Sequence, residues 1–160
     1  MSETMRPRGR LVLTVRGPEG EVARREATNL VLRRGASVIA RLFAGAAGSQ
    51  PVNRVMVGFG REAGTAELTA LTPPTGSAIP AAALATALTP ESFKIAADRP
   101  GAVRVAVEAL FHPTVDLEGV TEAGLLAADK LYNQVVFEPV NLRVGQDVTF
   151  FWEVDFPFGH

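Results

Sequence analysis

Val148-Thr-Phe-Phe-Trp-Glu-Val-Asp-Phe-Pro-Phe158 is the stretch that decides the fold. Val148, Phe150, Trp152, Val154, Phe156 and Phe158 take every second position, and Thr149, Phe151, Glu153 and Asp155 fill the gaps. A repeat of two is that of a β-strand, whose successive side chains leave by opposite faces. One face is therefore apolar and belongs in a core, with Trp152, Phe150, Val154 and Phe156 as its expected members. Phe151 breaks the polar face. An aromatic ring there needs a second buried surface, from a helix or from another chain.

The same period runs outward through the chain. In Gly101–Phe111, Val103, Val105, Val107, Ala109 and Phe111 share one face, with Arg104 and Glu108 opposite; Val105 and Val107 are expected in the core. Val120–Ala127 and Leu131–Glu138 read as a strand pair linked through Asp129-Lys130. Asn53–Phe59 and Ser92–Ala97 are shorter candidates. Near the start, Leu11, Leu13 and Val15 alternate with Val12, Thr14 and Arg16, and Pro18-Glu19-Gly20 makes a turn. Glu21–Thr28 returns as an edge-like strand carrying Arg24, Arg25 and Glu26, giving an Arg-rich hairpin over residues 9–28.

One segment reads as a helix, over about residues 30–45. Leu32, Gly35, Val38, Ile39, Leu42 and Phe43 recur at three- and four-residue spacing, Asn29 is placed to cap the start, and Gly45 and Gly48 punctuate the end. Arg33, Arg34 and Arg41 fall on its wet side. Pro80–Leu88 reads as a short Ala-rich helix. The pattern predicts a mainly β chain: a β-sandwich or barrel-like sheet pair of about seven strands with one packed α-helix. It forms a single domain over 1–160 with its main strands in 91–158.

Composition agrees with this. The chain has 160 residues, 47% hydrophobic and 21% charged, so it can bury one sizeable core. Fifteen Gly and eleven Pro favour turns and short strands. Cys is absent, which excludes disulfides, thiolate metal sites and thiol nucleophiles. The charged opening residues lack a signal peptide's apolar centre, and the expectation is a chain made and folded in a cytoplasm. Residues 1–44 hold nine Arg and four Glu, a balance of +5. Residues 45–160 hold seven basic and thirteen acidic residues, a balance of −6. Opposite charge on two parts of a chain suits contact between copies, with Arg24 and Arg25 as interface candidates. Nucleic acid is not an expected partner, because no aromatics interleave with the arginines.

Chemistry is sparse. Of two histidines, His160 is terminal and His112 sits at a strand end, read as a solvated turn residue. Asp116 with Glu118, and Glu153 with Asp155, have the i, i+2 spacing that puts two carboxylates on one strand face. They read as solvated loop and wet strand face respectively. Gly58-Phe-Gly60 lacks the remainder of a phosphate loop, and its glycines read as ending a strand. No catalytic residue, cofactor or metal site emerges, and the expectation is a protein that is not an enzyme.

Five segments in order resemble a family of small structural proteins in the virions of tailed bacteriophages and in phage-tail-like particles. They are Ala27–Gly45, Val57-Gly-Phe-Gly60, Glu67-Leu-Thr-Ala-Leu71, Val120-Thr-Glu-Ala-Gly-Leu125, and Phe137-Glu-Pro-Val140 followed by the Trp-containing strand. The likeness spans roughly residues 27–158; the Ala-rich insert at 78–89 and the Arg-rich hairpin lie outside it. It implies a tail-fibre, collar, neck or baseplate component, made in a host bacterium's cytoplasm and resident in the particle. Such a component works by packing against copies of itself and neighbouring virion proteins, with no membrane contact and no catalytic residues. Within the fourth segment, Gly124 permits close backbone approach by a neighbouring strand or chain. Glu122 is placed to accept hydrogen bonds from backbone N–H groups at such a junction; a bulge within a sheet is the other reading of the same residues. The alternative is a carbohydrate- or receptor-binding β-sandwich reading a host-surface glycan. That role wants an exposed aromatic, and Tyr132 is its candidate.

Overall fold

A computed structural model describes residues 8–76 and 78–159 and forms two antiparallel sheets packed face to face. Among the described residues eleven strands occur, of which seven have five residues or more. The seven are β1 (Arg8–Gly17), β2 (Gly20–Thr28), β4 (Arg54–Gly58), β7 (Ala102–Phe111), β8 (Leu117–Ala127), β10 (Asn133–Leu142) and β11 (Asp147–Pro157). Short additions are β3 (Leu30–Val31), β5 (Ala85–Ala87), β6 (Phe93–Ala96) and β9 (Lys130–Leu131). The mainly β sandwich with one helix read from the sequence is the architecture observed.

The first sheet runs β2-β1-β11-β7-β6, with β11 at its centre. Its register stacks the core in rows: Trp152 lies between Leu11 and Val107, Phe150 between Leu13 and Ala109, and Val148 between Val15 and Phe111. Trp152 is fully buried, and its ring stacks on Phe150 at 6.1 Å, while Phe111 meets Phe150 edge-on at 6.3 Å. Small Ala109 opposite Phe150 makes room for that ring. Val154 is buried as well; Val105 is half-buried at the margin of the main core, and Phe156 is half-buried toward the end of β11.

The second sheet runs β3-β10-β8-β4-β5, with β9 also paired to β8. Its centre, β8, is buried on both faces from Val120 to Ala127. Val120, Ala123 and Leu125 enter the main core. Leu126 joins Leu32, Leu131, Leu68 and Leu71 in a second, smaller one beneath the loop of residues 59–76.

The helix α1 spans Arg33–Phe43, shorter than the sequence suggests. Asn29 does not cap it. Leu30 and Val31 pair with Gln134 and Asn133, so an extended step separates Asn29 from the helix, and Leu32 stands at the cap position without a side-chain bond. Gly35 is where α1 meets the sheet: a Cβ there would lie 2.1 Å from the Tyr132 carbonyl oxygen, so only glycine permits the approach. Gly45, at φ 63°, turns the chain out of the helix. The Ala-rich segment also departs from expectation. Residues 81–84 make one 3₁₀ turn and residues 85–87 become β5, since pairing with β4 outweighs the weak helix preference of so short a piece.

Candidate functional site

Glu122 stands on the outer face of β8 and is 1% exposed. Its Oε1 accepts hydrogen bonds from the backbone N–H of Gly60 (3.1 Å) and from that of Thr72, and its Oε2 accepts from Gln134 Nε2 at 2.8 Å. The Gln134 Oε1 in turn accepts from the Gly64 N–H at 2.8 Å, and Thr121 donates its hydroxyl to the Gly60 carbonyl. A buried carboxylate is tolerable only when its oxygens are satisfied in this way. The glycines make the space: Cβ atoms on Gly58 and Gly60 would approach the carboxylate to 2.5 and 2.8 Å. Gly58-Phe-Gly60 is thus a cradle for a side chain of its own protein as well as the end of β4. Three segments far apart in sequence, around residues 58–60, 71–72 and 120–125, meet at this latch.

The latch corrects one expectation. Glu122 does accept backbone N–H bonds at a junction, but the junction is between β8 and the chain's own loop, so Glu122 faces no neighbouring copy. Gly124 is likewise internal, for a Cβ there would strike the Asn133 carbonyl oxygen at 2.6 Å. Its close approach is to β10 and β9. Sequence reasoning misses the partners Gly60, Thr72 and Gln134, because no periodicity links a strand carboxylate to loop amides fifty or more residues away, or to a side-chain amide on the next strand.

Several other charged groups are also engaged within the domain. Arg25 reaches from β2 to the second sheet and donates to the carbonyls of Glu138 (2.9 Å) and Pro139 (2.7 Å). The β8–β10 register shifts between Val136 and Val140, which frees those carbonyls from the ladder, and Arg25 satisfies them. That role is internal to the domain, and Arg25 stays partly exposed beside it. Arg24 pairs with Glu26 at 2.7 Å, and both line a shallow open cleft of about 640 Å³ with Arg25 and Arg61. Side-chain hydrogen bonds from Arg24 and Arg10 hold the exposed Glu26 carboxyl below its ordinary pKa. Arg33 pairs with Glu67, which joins the basic first part of the chain to its acidic remainder.

Both acidic pairs are answered by arginine. Arg104 lies between Glu153 and Asp155, bonding Asp155 at 2.7 and 3.0 Å. Arg143 faces Asp116 at 3.7 Å and Glu118 at 3.4 Å. His112 pairs with Asp147 at 2.9 Å, both side chains more than half exposed on the rim where β7 ends and β11 begins. Among the described residues, no group of three or more His, Cys, Asp or Glu converges. Tyr132 and Trp152 are both buried, so the glycan-binding alternative loses the aromatic it relied on.

Among the described residues, apolar surface is uncovered on β11 and on α1, besides the scattered Val22, Ile95, Val144 and Phe158. Phe151 sits half-buried on the outer face of β11, between Val12 and Glu108, with Leu110 exposed nearby. That face belongs to the first sheet, whereas α1 covers the second, so the helix does not shelter Phe151. The second surface is on α1 itself, where only Gly35 and Val38 are buried. Ile39 and Leu42 are exposed, and Phe43 is 95% exposed. Helical periodicity alone puts Ile39, Leu42 and Phe43 in one core stripe; the available sign against it is Gly35, which brings the helix in along a narrow line. No helix among the described residues is long and apolar enough to cross a membrane. No family model, curated protein or solved structure matches the chain.

Proposed function

We propose that the chain is a structural subunit of a phage virion or phage-tail-like particle, acting by packing against copies of itself and neighbouring proteins. The observation that carries the reading is the uncovered apolar surface of α1. A Phe43 at 95% exposure on an ordered helix has no role inside the domain, and contiguous apolar surface of this kind is characteristic of contact sites. The ordered set of five segments resembling small virion proteins supports a particle of that kind. The buried latch suits the role, since it braces the loop of residues 59–76 across the second sheet without spending any surface.

The test is sedimentation of particles from a producing culture through a density gradient, with the chain followed by antibody. The expected result is migration with intact particles, in constant ratio to the other structural proteins after repeated banding. Recovery only in the low-mass fractions would overturn the reading.

A further inference from the structure

A helix turning about 100° per residue places Ala36, Ile39, Ala40 and Phe43 on one ridge. All four are exposed. We propose that this ridge is a two-fold contact between two copies of the chain, α1 crossing α1 antiparallel. The proposal rests on the packing-subunit reading and names the surface it uses.

The ridge is self-complementary in size. An antiparallel crossing centred between Ile39 and Ala40 sets Phe43 of each copy over Ala36 of the other, and Ile39 over Ala40. Each large side chain meets a small one, which is how ridges fill grooves between helices. A two-fold axis requires this of a surface, because the same patch must serve as both partners.

The charges also fit. Arg34 and Arg41 point about 100° or more around the axis from the ridge residues, so the arginines of two copies do not oppose one another. Arg41 is further held by the Ala47 carbonyl at 3.0 Å. Arg33, paired with Glu67, would stand beside residues 44–46 of the other copy. There the carboxyl end of that helix carries partial negative charge, a favourable position for a cation. A crossing of two eleven-residue helices buries less than the ~1,200 Å² at which stable interfaces begin. The contact is therefore weak between free chains and effective where a particle holds copies together.

The experiment is sedimentation equilibrium of the full chain and of three variants, with circular dichroism to check folding. Phe43→Ala and Ala36→Phe should each weaken a monomer–dimer equilibrium by about tenfold or more. The double variant, which exchanges large for small across the axis, should return to within about threefold of the wild type. Tighter association in Ala36→Phe alone would mean unspecific stickiness and overturns the proposal. Self-association untouched by either single variant overturns it too, while leaving the packing-subunit reading intact on another surface. A wild type that stays monomeric up to about 1 mM chain, where even a weak contact populates the dimer, also overturns it, and the particle sedimentation then decides the broader reading by itself. Vesicles of phosphatidylserine and phosphatidylcholine are the last arm: pelleting of a monomeric wild type that Phe43→Ala abolishes would make an anionic membrane the occupant and overturn the two-fold contact.

Discussion

The central strands of the two sheets, β11 and β8, are of equal length and use their outer faces in opposite ways. On β11 the outer face carries Thr149, Phe151, Glu153 and Asp155 and stays partly wet; its carboxylates are met by the side chain of Arg104. On β8 the outer face carries Glu122, Gly124 and Leu126 and lies under a second layer, where the carboxylate is met by backbone N–H groups. A carboxylate on a strand thus means different things according to what covers it. At the surface it is exchangeable with solvent. Beneath a loop it becomes the loop's anchor, and its neighbours must be small.

The largest effect that could break this comparison is on β11 itself, where Phe151 and Trp152 are adjacent but face opposite ways. Trp152→Ala should cost about 3–5 kcal/mol, the range for deleting a large aromatic from a packed core. Phe151→Ser should cost far less, about 1 kcal/mol, because that ring lies on the partly wet outer face and its loss opens no cavity in the core. Urea denaturation of both variants is the measurement. Equal losses would mean that the outer face of the first sheet is covered in solution, by another copy or another protein.

A smaller effect sharpens the β8 side. Glu122→Gln keeps the volume but replaces one acceptor oxygen with an NH₂ that confronts donors, leaving at least one buried N–H unpaired. The expected loss is about 1–3 kcal/mol. It should fall locally, as faster amide hydrogen exchange at Gly60, Gly64 and Thr72 with β11 amides unchanged. Uniform acceleration through both sheets would show that the latch holds the whole sandwich rather than its loop.

How much of this can be read from residues alone follows from the range of the signals. The inner face of β11 is legible because a period of two survives any tertiary context. Each long strand that repeats it, such as β7, is legible for the same reason. The latch is not, since a carboxylate and the amides that bind it share no pattern along the chain. Only the pairing of a buried-side Glu with small residues, in Glu122-Ala-Gly124 and Gly58-Phe-Gly60, hints at it. The α1 ridge escapes for a different reason. Apolar period 3.6 tells which residues could share a face, but the width of that face in contact depends on how closely the helix seats. Gly35 against Tyr132 seats it along Gly35 and Val38 and leaves Phe43 outside. The short β3 that displaces the helix start is set by pairing with Asn133 and Gln134, which no local preference encodes.

The finest test lies where α1 meets the second sheet. The Tyr132 hydroxyl is buried and no hydrogen-bond partner for it is present among the described residues, and burial pushes its pKa up from 10.0 to about 12. A buried hydroxyl without a partner loses its bonds to water on folding, so Tyr132→Phe should be neutral or stabilising by up to about 1 kcal/mol at pH 8. The sign of its pH dependence follows from linkage. Below pH 10 the ring is neutral in both folded and unfolded chains and contributes no pH dependence. Between pH 10 and about 12 the unfolded chain ionises while the fold still holds the neutral ring, so wild-type stability falls as pH rises. The fall approaches about 1.4 kcal/mol per pH unit in that window. The variant's phenyl ring has nothing to ionise, and the lysines that titrate in the same range are common to both chains and cancel in the difference. Stability of wild type and variant by urea denaturation should therefore differ more at pH 11 than at pH 8, with the variant the more stable. An unchanged difference would mean that Tyr132 ionises in the fold as easily as in the open chain. Water would then reach its hydroxyl under α1, and the helix would seat less closely than Gly35 allows.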